Sequence, residues 1–273
     1  MSGINASRRW LTRARHAADV CRVYRDPLAR FLDYLGRGRR GDVREIKLWN
    51  GLRFRVRLGT SDLGIVDEVF AHGVYDRVLR QIRPGETVID VGSQCGIFAL
   101  AAAVRGASVR CYEPIGENVE RLLDNARLNG YEMQVTTRNV AVAGTRGTKT
   151  LYTVEDDTGG STFFPSIHPD WLQNGRMRSL SVECVTLDDL VAECGKTVCE
   201  YVKLDCEGAE YDILRGADPA VLRRVRTLIM EYHPNGDVAE IVQLLRGAGF
   251  HVEVSPHPCI LYATSRRPSD PVR

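Results

Sequence analysis

The chain has 273 residues, a formal net charge of +2, and a composition of 44% hydrophobic and 26% charged residues. This is the composition of an ordinary globular domain with a large core, which excludes a disordered chain. No stretch approaches the ~18 consecutive apolar residues of a membrane-spanning helix, and we expect a soluble, cytoplasmic protein. The eight cysteines include no CxxC pair, so a zinc-ribbon or thioredoxin-like site has no support.

Charge is unevenly distributed along the chain. Residues 1–40 hold ten arginines against three aspartates, a net charge of +7, which leaves −5 for the remainder of a chain whose total is +2. Apolar spacing predicts helices within residues 8–35, and residues 45–58 predict a β-hairpin. We interpret residues 1–80 as a helical cap and hairpin that cover the site or form a homo-oligomer contact. A non-catalytic nucleic-acid-binding module is disfavoured, because the basic character does not continue into the rest of the chain.

Beyond residue 80, strand and helix patterns alternate, which is typical of a parallel sheet covered by helices on both faces. Two strand patterns follow the last helix and predict an antiparallel pair. A polar, glycine-bearing insertion at about 144–183 interrupts the alternation, and such insertions often form substrate walls or lids. We therefore expect an α/β domain over residues 81–273 with a seven-stranded, mostly parallel sheet. The predicted strands are residues 87–91, 109–112, 135–143, 200–207, 227–234, 250–255 and 259–264.

The turn after the first of these strands reads Asp-Val-Gly-Ser-Gln-Cys-Gly over residues 90–96. Its glycines let the backbone approach a ligand closely. A dinucleotide fingerprint, G-x-G-x-x-G, would need two more glycines, where this chain has Gln94 and Ile97. S-adenosylmethionine has no pyrophosphate and needs no such glycines; Asp90 could receive its ammonium group and Glu113, ending the second strand, its ribose diol. The turn therefore favours S-adenosylmethionine, and an NAD(P)-dependent oxidoreductase is the alternative.

Candidate catalytic residues follow the fourth and fifth predicted strands, whose carboxyl ends share one edge of the sheet. Lys203 and Asp205 lie two residues apart on one face, as do Glu231 and His233. His233 is the preferred general base because neutral imidazole is available near pH 7. Asp205 is the alternative, as a base or as an oxygen ligand of Mg²⁺, and Lys203 is a catalytic candidate or an ion-pair partner. Further candidate metal ligands are Glu207 and Glu231.

These motifs together resemble the FkbM-type S-adenosylmethionine-dependent methyltransferases over residues 68–234. The resemblance is carried by "VIDVGSQCGIFAL", "CYEPIGENVERLLDNARLN", "VTLDDL", "YVKLDCEGAEYDILRGA" and "IMEYHP". At Gln94 and Cys95 the chain departs from the family's usual asparagine and aliphatic residue. The resemblance implies a Rossmann-like class I methyltransferase fold, with its closing antiparallel strand pair, and S-adenosyl-L-methionine as cofactor. The cofactor-binding residues that it implies are Asp90, Gly92, Ser93, Gly96, Glu113, Pro114, Asn118, Asn139 and Val140.

The resemblance also implies the class of acceptor. Methyl transfer in this family typically goes to a hydroxyl of a sugar, glycoside or natural product, so we expect an O-methyltransferase. N-methyl transfer to a small molecule is the alternative. The insertion supplies the acceptor side, where "GGS" matches a family motif and where aromatic side chains could stack on a sugar. The candidate substrate-binding residues are Tyr75, Ser161, His168 and Trp171.

Overall fold

The computed structural model describes residues 19–34, 39–154, 157–168, 170 and 177–265. Trp171 and much of the predicted helical cap lie outside the described residues. The strands are, in chain order, β1 (Val43–Lys47), β2 (Arg53–Arg57), β3 (Thr87–Val91), β4 (Ser108–Tyr112), β5 (Val135–Arg138), β6 (Ala141–Val142), β7 (Gly147–Val154), β8 (Asp157–Thr162), β9 (Met177–Val185), β10 (Cys199–Leu204), β11 (Val225–Glu231), β12 (Phe250–Pro256) and β13 (Cys259–Ser265).

The helices are short and lie between the strands. A π-helical turn, Asp67–Ala71, continues directly from the second helix. In the part of the chain that the structure describes, no helix has both the length and the apolar character needed to cross a membrane. The helices are, in chain order, α1 (Pro27–Tyr34), α2 (Asp62–Val66), α3 (Asp76–Leu79), α4 (Ile97–Ala103), α5 (Gly116–Asn129), α6 (Leu187–Glu193), α7 (Glu210–Gly216), α8 (Pro219–Leu222) and α9 (Val238–Gly247).

Seven strands form the central sheet in the order β12-β13-β11-β10-β3-β4-β5. The neighbouring pairs from β11 to β5 are parallel, whereas β13 runs antiparallel between β11 and β12. Every residue of β3 is buried, as expected for a parallel strand with both faces covered. This mixed α/β sheet agrees with the predicted fold class. Because the parallel strands share one direction, the turns after β3, β4, β10 and β11 meet at one edge of the sheet.

The prediction of a single third strand over residues 135–143 is wrong. β5 ends at Arg138, and the chain continues as β6 in a second sheet. The side-chain amide of Asn139 donates to the backbone oxygen of Glu113 at 2.9 Å. A side chain thus takes an acceptor at the end of β4 that a continuing strand would use, so the pairing stops and the chain leaves the central sheet.

The predicted insertion builds most of that second sheet, whose strand order is β6-β9-β7-β8. β7 and β9 pair antiparallel along the whole of β7. A small apolar cluster that includes Ala141, Leu151 and Val182 stabilises the sheet. These strands were not predicted from the sequence, because the insertion is polar. The apolar residues that stabilise its sheet lie far apart in the chain.

The N-terminal hairpin shares its core with the central sheet. Phe54 and Val56 of β2 are completely buried in the same apolar cluster as Leu100 of α4. Helix α5 also supports the hairpin, because the side chain of Asn125 accepts a hydrogen bond from the backbone nitrogen of Arg55 at 2.7 Å. An amide side chain thereby satisfies a backbone group at the edge of β2. The predicted boundary near residue 80 therefore crosses a continuous core.

Candidate active site

A cavity of about 500 Å³ lies at the edge of the sheet where β3, β4, β10 and β11 end. Its volume is in the range typical of small-molecule and cofactor sites. The strand ends form one part of its wall, and β8 of the second sheet forms another. Helix α2 and the π-helical turn that follows it form a third part. The wall includes Ser61, Glu68, Tyr75, Gly92, Ser93, Gln94, Glu113, Pro114, Thr158, Ser161, Lys203, Asp205, Glu207 and Glu231.

Both glycines of the turn after β3 have left-handed backbone conformations, with φ of 75° at Gly92 and 85° at Gly96. A Cβ atom on Gly92 would lie 1.7 Å from the backbone oxygen of Asp205, and one on Gly96 would lie 2.8 Å from the Leu122 side chain. Gly92 lines the cavity, whereas Gly96 is the N-cap of α4. The expectation that both glycines admit a ligand is thus corrected for Gly96, which does not line the cavity. At both positions neighbouring parts of the chain occupy the space that a side chain would need.

Glu113 is 4% exposed and lines the cavity at the end of β4. Its carboxylate accepts hydrogen bonds from the backbone nitrogens of Gln94 and Ile115, both at 3.0 Å, and from Asn118 Nδ2 at 3.1 Å. Burial raises the pKa of this carboxyl group, although the hydrogen bonds act in the opposite direction. A carboxylate has about four acceptor sites, and three are used here, so this group retains about one acceptor site, on Oε2, for a ligand hydroxyl.

Three other residues assigned to the cofactor are not part of the cavity wall. Asn118 is buried and holds one oxygen of Glu113, while Asn139 holds its backbone carbonyl. Val140 is buried in the core, and the two residues that follow it line the cavity instead. Asn118 and Asn139 are therefore placed to orient Glu113.

Asp90 lies beneath the turn and not in the cavity wall. It is completely buried, and Lys203 Nζ, at the same register position on β10, lies 3.4 Å from its Oδ1 and 3.0 Å from Asp205 Oδ2. Burial alone would lower the pKa of Lys203, but the two carboxylates raise it, so the ammonium group is retained. Lys203 therefore takes the place opposite Asp90 that we expected for the cofactor's ammonium group. Ser93 does line the cavity, and its hydroxyl donates to the Asp90 backbone oxygen at 2.7 Å.

The part of the cavity beyond Lys203 is acidic; we call Glu68, Asp205 and Glu231 the acid cluster. The Tyr75 hydroxyl lies 3.1 Å from Asp205 Oδ2 and 3.3 Å from Glu231 Oε2, so one proton serves two carboxylates. The charge of Asp205, followed by burial, raises the pKa of Glu231 to about 8. Burial, followed by the charge of Asp205, raises the pKa of Glu68 to about 7.

Tyr75 is not available to stack on a sugar, as the sequence suggested. Its side chain is 2% exposed, and its ring packs against Phe98 with centroids 5.1 Å apart. The role of Tyr75 is therefore fixed by its hydroxyl group, which reaches the acid cluster.

His233 lies between two carboxylates. Its Nε2 is 3.3 Å from Glu207 Oε2 and its Nδ1 is 3.3 Å from Glu210 Oε1. Burial favours the neutral imidazole, but the two carboxylates outweigh it and raise the pKa of His233 to about 11. The hypothesis that His233 is a neutral base near pH 7 does not fit this arrangement. His168 also reaches Glu207, with its Nε2 3.4 Å from Oε2, and these contacts hold the pKa of Glu207 at about 2 against the effect of burial.

The predicted metal ligands are only partly brought together. Oxygen or nitrogen atoms of Asp205, Glu231 and His233 lie within 4.8 Å of one another. Both ring nitrogens of His233 face carboxylates, however, and Glu207 is engaged by two imidazoles. The donors that fit a hard cation such as Mg²⁺ are therefore the carboxylates of the acid cluster.

The second sheet supplies the acceptor side of the wall. Ser161 lines the cavity and its hydroxyl lies 3.2 Å from Thr153 Oγ1. His168 contacts Glu207, which places it behind that acid. Glu68, Asp62 and Thr158 were not predicted from the sequence. They lie in segments without a catalytic motif, and only the tertiary fold brings Asp62 and Thr158 to the turn after β3 and Glu68 to the acid cluster.

Residues 90–252 match the family model described as the methyltransferase FkbM domain. The match covers more than half of the chain and includes the turn after β3, Glu113 and the acidic residues after β10 and β11. The chain belongs to the FkbM methyltransferase family.

Several characterised proteins are similar to this chain. The 31-O-demethyl-FK506 methyltransferase FkbM of Streptomyces tacrolimicus is 29% identical, over 79% of this chain and 92% of that protein. The hexuronic acid methyltransferase AglP of Haloferax volcanii is 25% identical, over 65% of this chain and 69% of that protein. A similar fold is found in the crystal structure of methyltransferase FkbM from Methylobacillus flagellatus KT, with a TM-score of 0.46 and a sequence identity of 16%. The match covers 66% of this chain and 43% of that chain.

Proposed function

We propose that this protein is an S-adenosyl-L-methionine-dependent O-methyltransferase that acts on a hydroxyl group of a sugar, glycoside or natural product. The observation that carries the proposal is Glu113, a buried carboxylate that faces the cavity beside a turn without the dinucleotide glycines. Family membership favours methyl transfer over the oxidoreduction considered as an alternative. The names of the two relatives, which refer to 31-O-demethyl-FK506 and to hexuronic acid, support an oxygen-bearing acceptor.

The cofactor would lie between Glu113 and the acid cluster. Glu113 would accept a hydrogen bond from a ribose hydroxyl through its remaining acceptor site, and the backbone of residues 92–94 would form the floor. When bound, S-adenosylmethionine supplies a methyl group on a sulfonium sulfur, which is displaced in line. The protein then has two tasks, which are to position the acceptor and to exclude water.

The acid cluster is our candidate for the general base. An alcohol is a poor nucleophile until its proton is accepted, and a positioned base is typically worth about 10²–10⁴-fold in rate. Asp205 and Glu231 line the cavity and share the Tyr75 hydroxyl. His233 would act indirectly, by fixing Glu207.

The same charges favour oxygen over nitrogen as the methyl acceptor. An amine beside Glu68, Asp205 and Glu231 would be stabilised as its ammonium ion, because opposite charges nearby favour the charged form. A protonated amine has no lone pair with which to attack a sulfonium. A neutral hydroxyl has no such disadvantage.

Mg²⁺ is a second candidate cofactor, because Asp205 and Glu231 offer oxygen ligands at the acceptor end of the cavity. Such an ion would lower the pKa of the acceptor hydroxyl and replace the base. The two routes differ in one measurable respect. EDTA would abolish a metal-assisted reaction and leave a carboxylate-assisted reaction unchanged.

The proposal is tested by incubating the protein with S-adenosylmethionine labelled in its methyl group and a panel of hydroxylated acceptors. We expect label on an oxygen, and a rate at least about 100-fold lower for Asp205→Asn. Glu253→Gln is the control, because it removes an exposed carboxylate that is 49% accessible and paired with Arg77. Label found only on nitrogen, or an Asp205→Asn variant with full activity, would contradict the proposal.

A further inference from the structure

Asp62 is a completely buried carboxylate that precedes the family domain in sequence. Its Oδ1 accepts hydrogen bonds from Gln94 Nε2 at 2.5 Å, Thr158 Oγ1 at 2.7 Å and Arg57 Nη2 at 3.0 Å. Its Oδ2 accepts from the backbone nitrogen and Nε of Arg57, at 2.8 and 2.9 Å. The carboxylate of Asp62 therefore forms hydrogen bonds to three parts of the chain, which are β2, β8 and the turn after β3.

A second set of hydrogen bonds connects the same group to Glu113. Arg57 Nη2 also donates to Asn118 Oδ1 at 2.7 Å, and Asn118 Nδ2 donates to Glu113 Oε1 at 3.1 Å. The backbone nitrogen of Gln94 donates to Glu113 Oε2 at 3.0 Å. The bonds close a ring that runs from Asp62 to both oxygens of Glu113, through Gln94 on one side and through Arg57 and Asn118 on the other.

The ring is held by a buried charge pair. Burial alone would raise the pKa of Asp62, but the hydrogen bonds and charge of Arg57 lower it below its usual value. Asp62 therefore stays ionised, and any movement of Gln94 or Arg57 would leave a buried charge with fewer partners. Such a loss is costly in a low-dielectric interior, so the ring is rigid.

Gln94 needs such support. Its φ of 48° lies in the left-handed region, which is unfavourable for a residue other than glycine. The side-chain bond to Asp62 helps to hold this conformation, and the conformation directs the Gln94 backbone N–H to Glu113. Where the family usually has asparagine, the longer glutamine reaches the N-terminal segment.

We propose that Asp62 is a positioning residue for the ribose end of the cofactor site. It acts through Gln94, Arg57 and Asn118 to fix the orientation of Glu113, so that a segment outside the family domain completes the cofactor site. This inference rests on the proposed function, because it requires Glu113 to bind a ribose hydroxyl.

The inference is tested by calorimetric titration with two ligands that share the ribose. S-adenosylhomocysteine is the complete product, and 5′-methylthioadenosine lacks the amino-acid portion. We expect Asp62→Asn and Gln94→Met each to weaken both ligands roughly tenfold, the size of one lost hydrogen bond to a charged group. The double variant should be about as weak as the weaker single variant, because both substitutions act on the same bond: Asp62→Asn removes the charge of its acceptor, and Gln94→Met removes its donor.

Asp33→Asn is the matched control. Asp33 is also a buried carboxylate of the N-terminal segment paired with an arginine, Arg44, but it does not contact the turn after β3. It should lower the melting temperature and leave both affinities unchanged, which separates positioning from general stability.

Three outcomes would overturn the inference. Asp62→Asn could bind both ligands as tightly as the wild type, or the effects of the two substitutions could simply add. If Asp62→Asn does not fold, unchanged affinities in Gln94→Met would overturn it equally. A wild-type protein that binds neither ligand would contradict the proposed function itself, and this assignment with it.

Discussion

Lys203 Nζ lies 3.4 Å from Asp90 Oδ1, and the two side chains are 4% and 0% exposed. The pair joins two neighbouring parallel strands at one register position. Neither Asp90 oxygen accepts a hydrogen bond from another described residue, so the charge of Lys203 is what compensates this buried carboxylate. Removing one partner of a buried pair leaves the other charge uncompensated.

We expect Lys203→Met to lower the free energy of unfolding by about 3–5 kcal/mol, because Asp90 and Asp205 both lose their cation. Adding Asp90→Asn should recover part of this loss. Urea unfolding followed by circular dichroism measures both effects. Lys196→Met is the control, since that side chain is 41% exposed and its bridge to Glu200 should be worth at most about 1 kcal/mol. If the double variant were less stable than Lys203→Met, Lys203 would not be what compensates the buried charge of Asp90.

Two glycines with the same backbone conformation should respond differently to alanine. Gly92 has φ of 75° and Gly130 has φ of 73°. A Cβ atom at Gly130 would meet nothing within 4 Å, whereas one at Gly92 would lie 1.7 Å from the Asp205 backbone oxygen. Gly130→Ala should therefore cost only the conformational strain, about 1–2 kcal/mol. Gly92→Ala should lower the melting temperature much further, and equal losses in the two variants would show that the close approach is absent.

The carboxylates beside His233 predict how stability depends on pH. Burial opposes the charge, but Glu207 and Glu210 raise the pKa of His233 from 6.5 to about 11. A histidine whose pKa is higher in the folded state than in the unfolded state stabilises the fold. Its contribution to the free energy of unfolding is complete below the unfolded-state pKa and is lost as pH rises toward the folded-state pKa. The stability advantage of the wild type over His233→Gln should therefore shrink between about pH 6.5 and 11, by at most about 1.4 kcal/mol per pH unit.

Urea unfolding of both proteins at about pH 6.5 and pH 9 measures this difference. Proton NMR of the imidazole is the direct check, and its resonances should not titrate near neutral pH. A titration midpoint near the ordinary histidine value would restore His233 as a candidate neutral base.

The Tyr75 hydroxyl predicts a change in the pH dependence of the rate. Activity should rise with pH as the acid cluster loses its proton, since the pKa values of Glu68 and Glu231 are raised to about 7 and about 8. Tyr75→Phe removes a donor that stabilises the charged carboxylates. The acidic limb of the pH–rate profile should then move up by about one pH unit. Tyr262→Phe, which loses only a bond to the backbone oxygen of Val74, should leave the limb in place; an equal shift in both variants would contradict this account.

The sequence was informative where local pattern decides the structure. The strand predicted over residues 87–91 is β3 without change, because a buried parallel strand is rich in apolar residues, here Val88, Ile89 and Val91. The end of β5 was not predicted, since it depends on a side-chain bond from Asn139 to another strand. Contacts of this kind join residues far apart in the chain and leave no periodic signal.

In the candidate site, too, local pattern predicted some residues, and contacts between distant parts of the chain determined the others. The turn after β3 and Glu113 could be identified from spacing alone. The hypothesis that His233 is a neutral base does not fit the geometry of the site, and the position of Glu210 relative to its ring could not be inferred from the pattern. Asp62 and Glu68 were missed because the N-terminal segment carries no motif, although it shares the core of the central sheet.

The most direct test of the central claim, that Glu113 binds the ribose of S-adenosylmethionine, is a calorimetric titration. Wild type and Glu113→Gln are titrated with S-adenosylhomocysteine and, separately, with NAD⁺. We expect the wild type to bind S-adenosylhomocysteine and not NAD⁺. Glu113→Gln should bind S-adenosylhomocysteine at least about tenfold more weakly, because a hydrogen bond to a charged acceptor is lost. Binding of NAD⁺ alone, or unchanged affinity in Glu113→Gln, would contradict it.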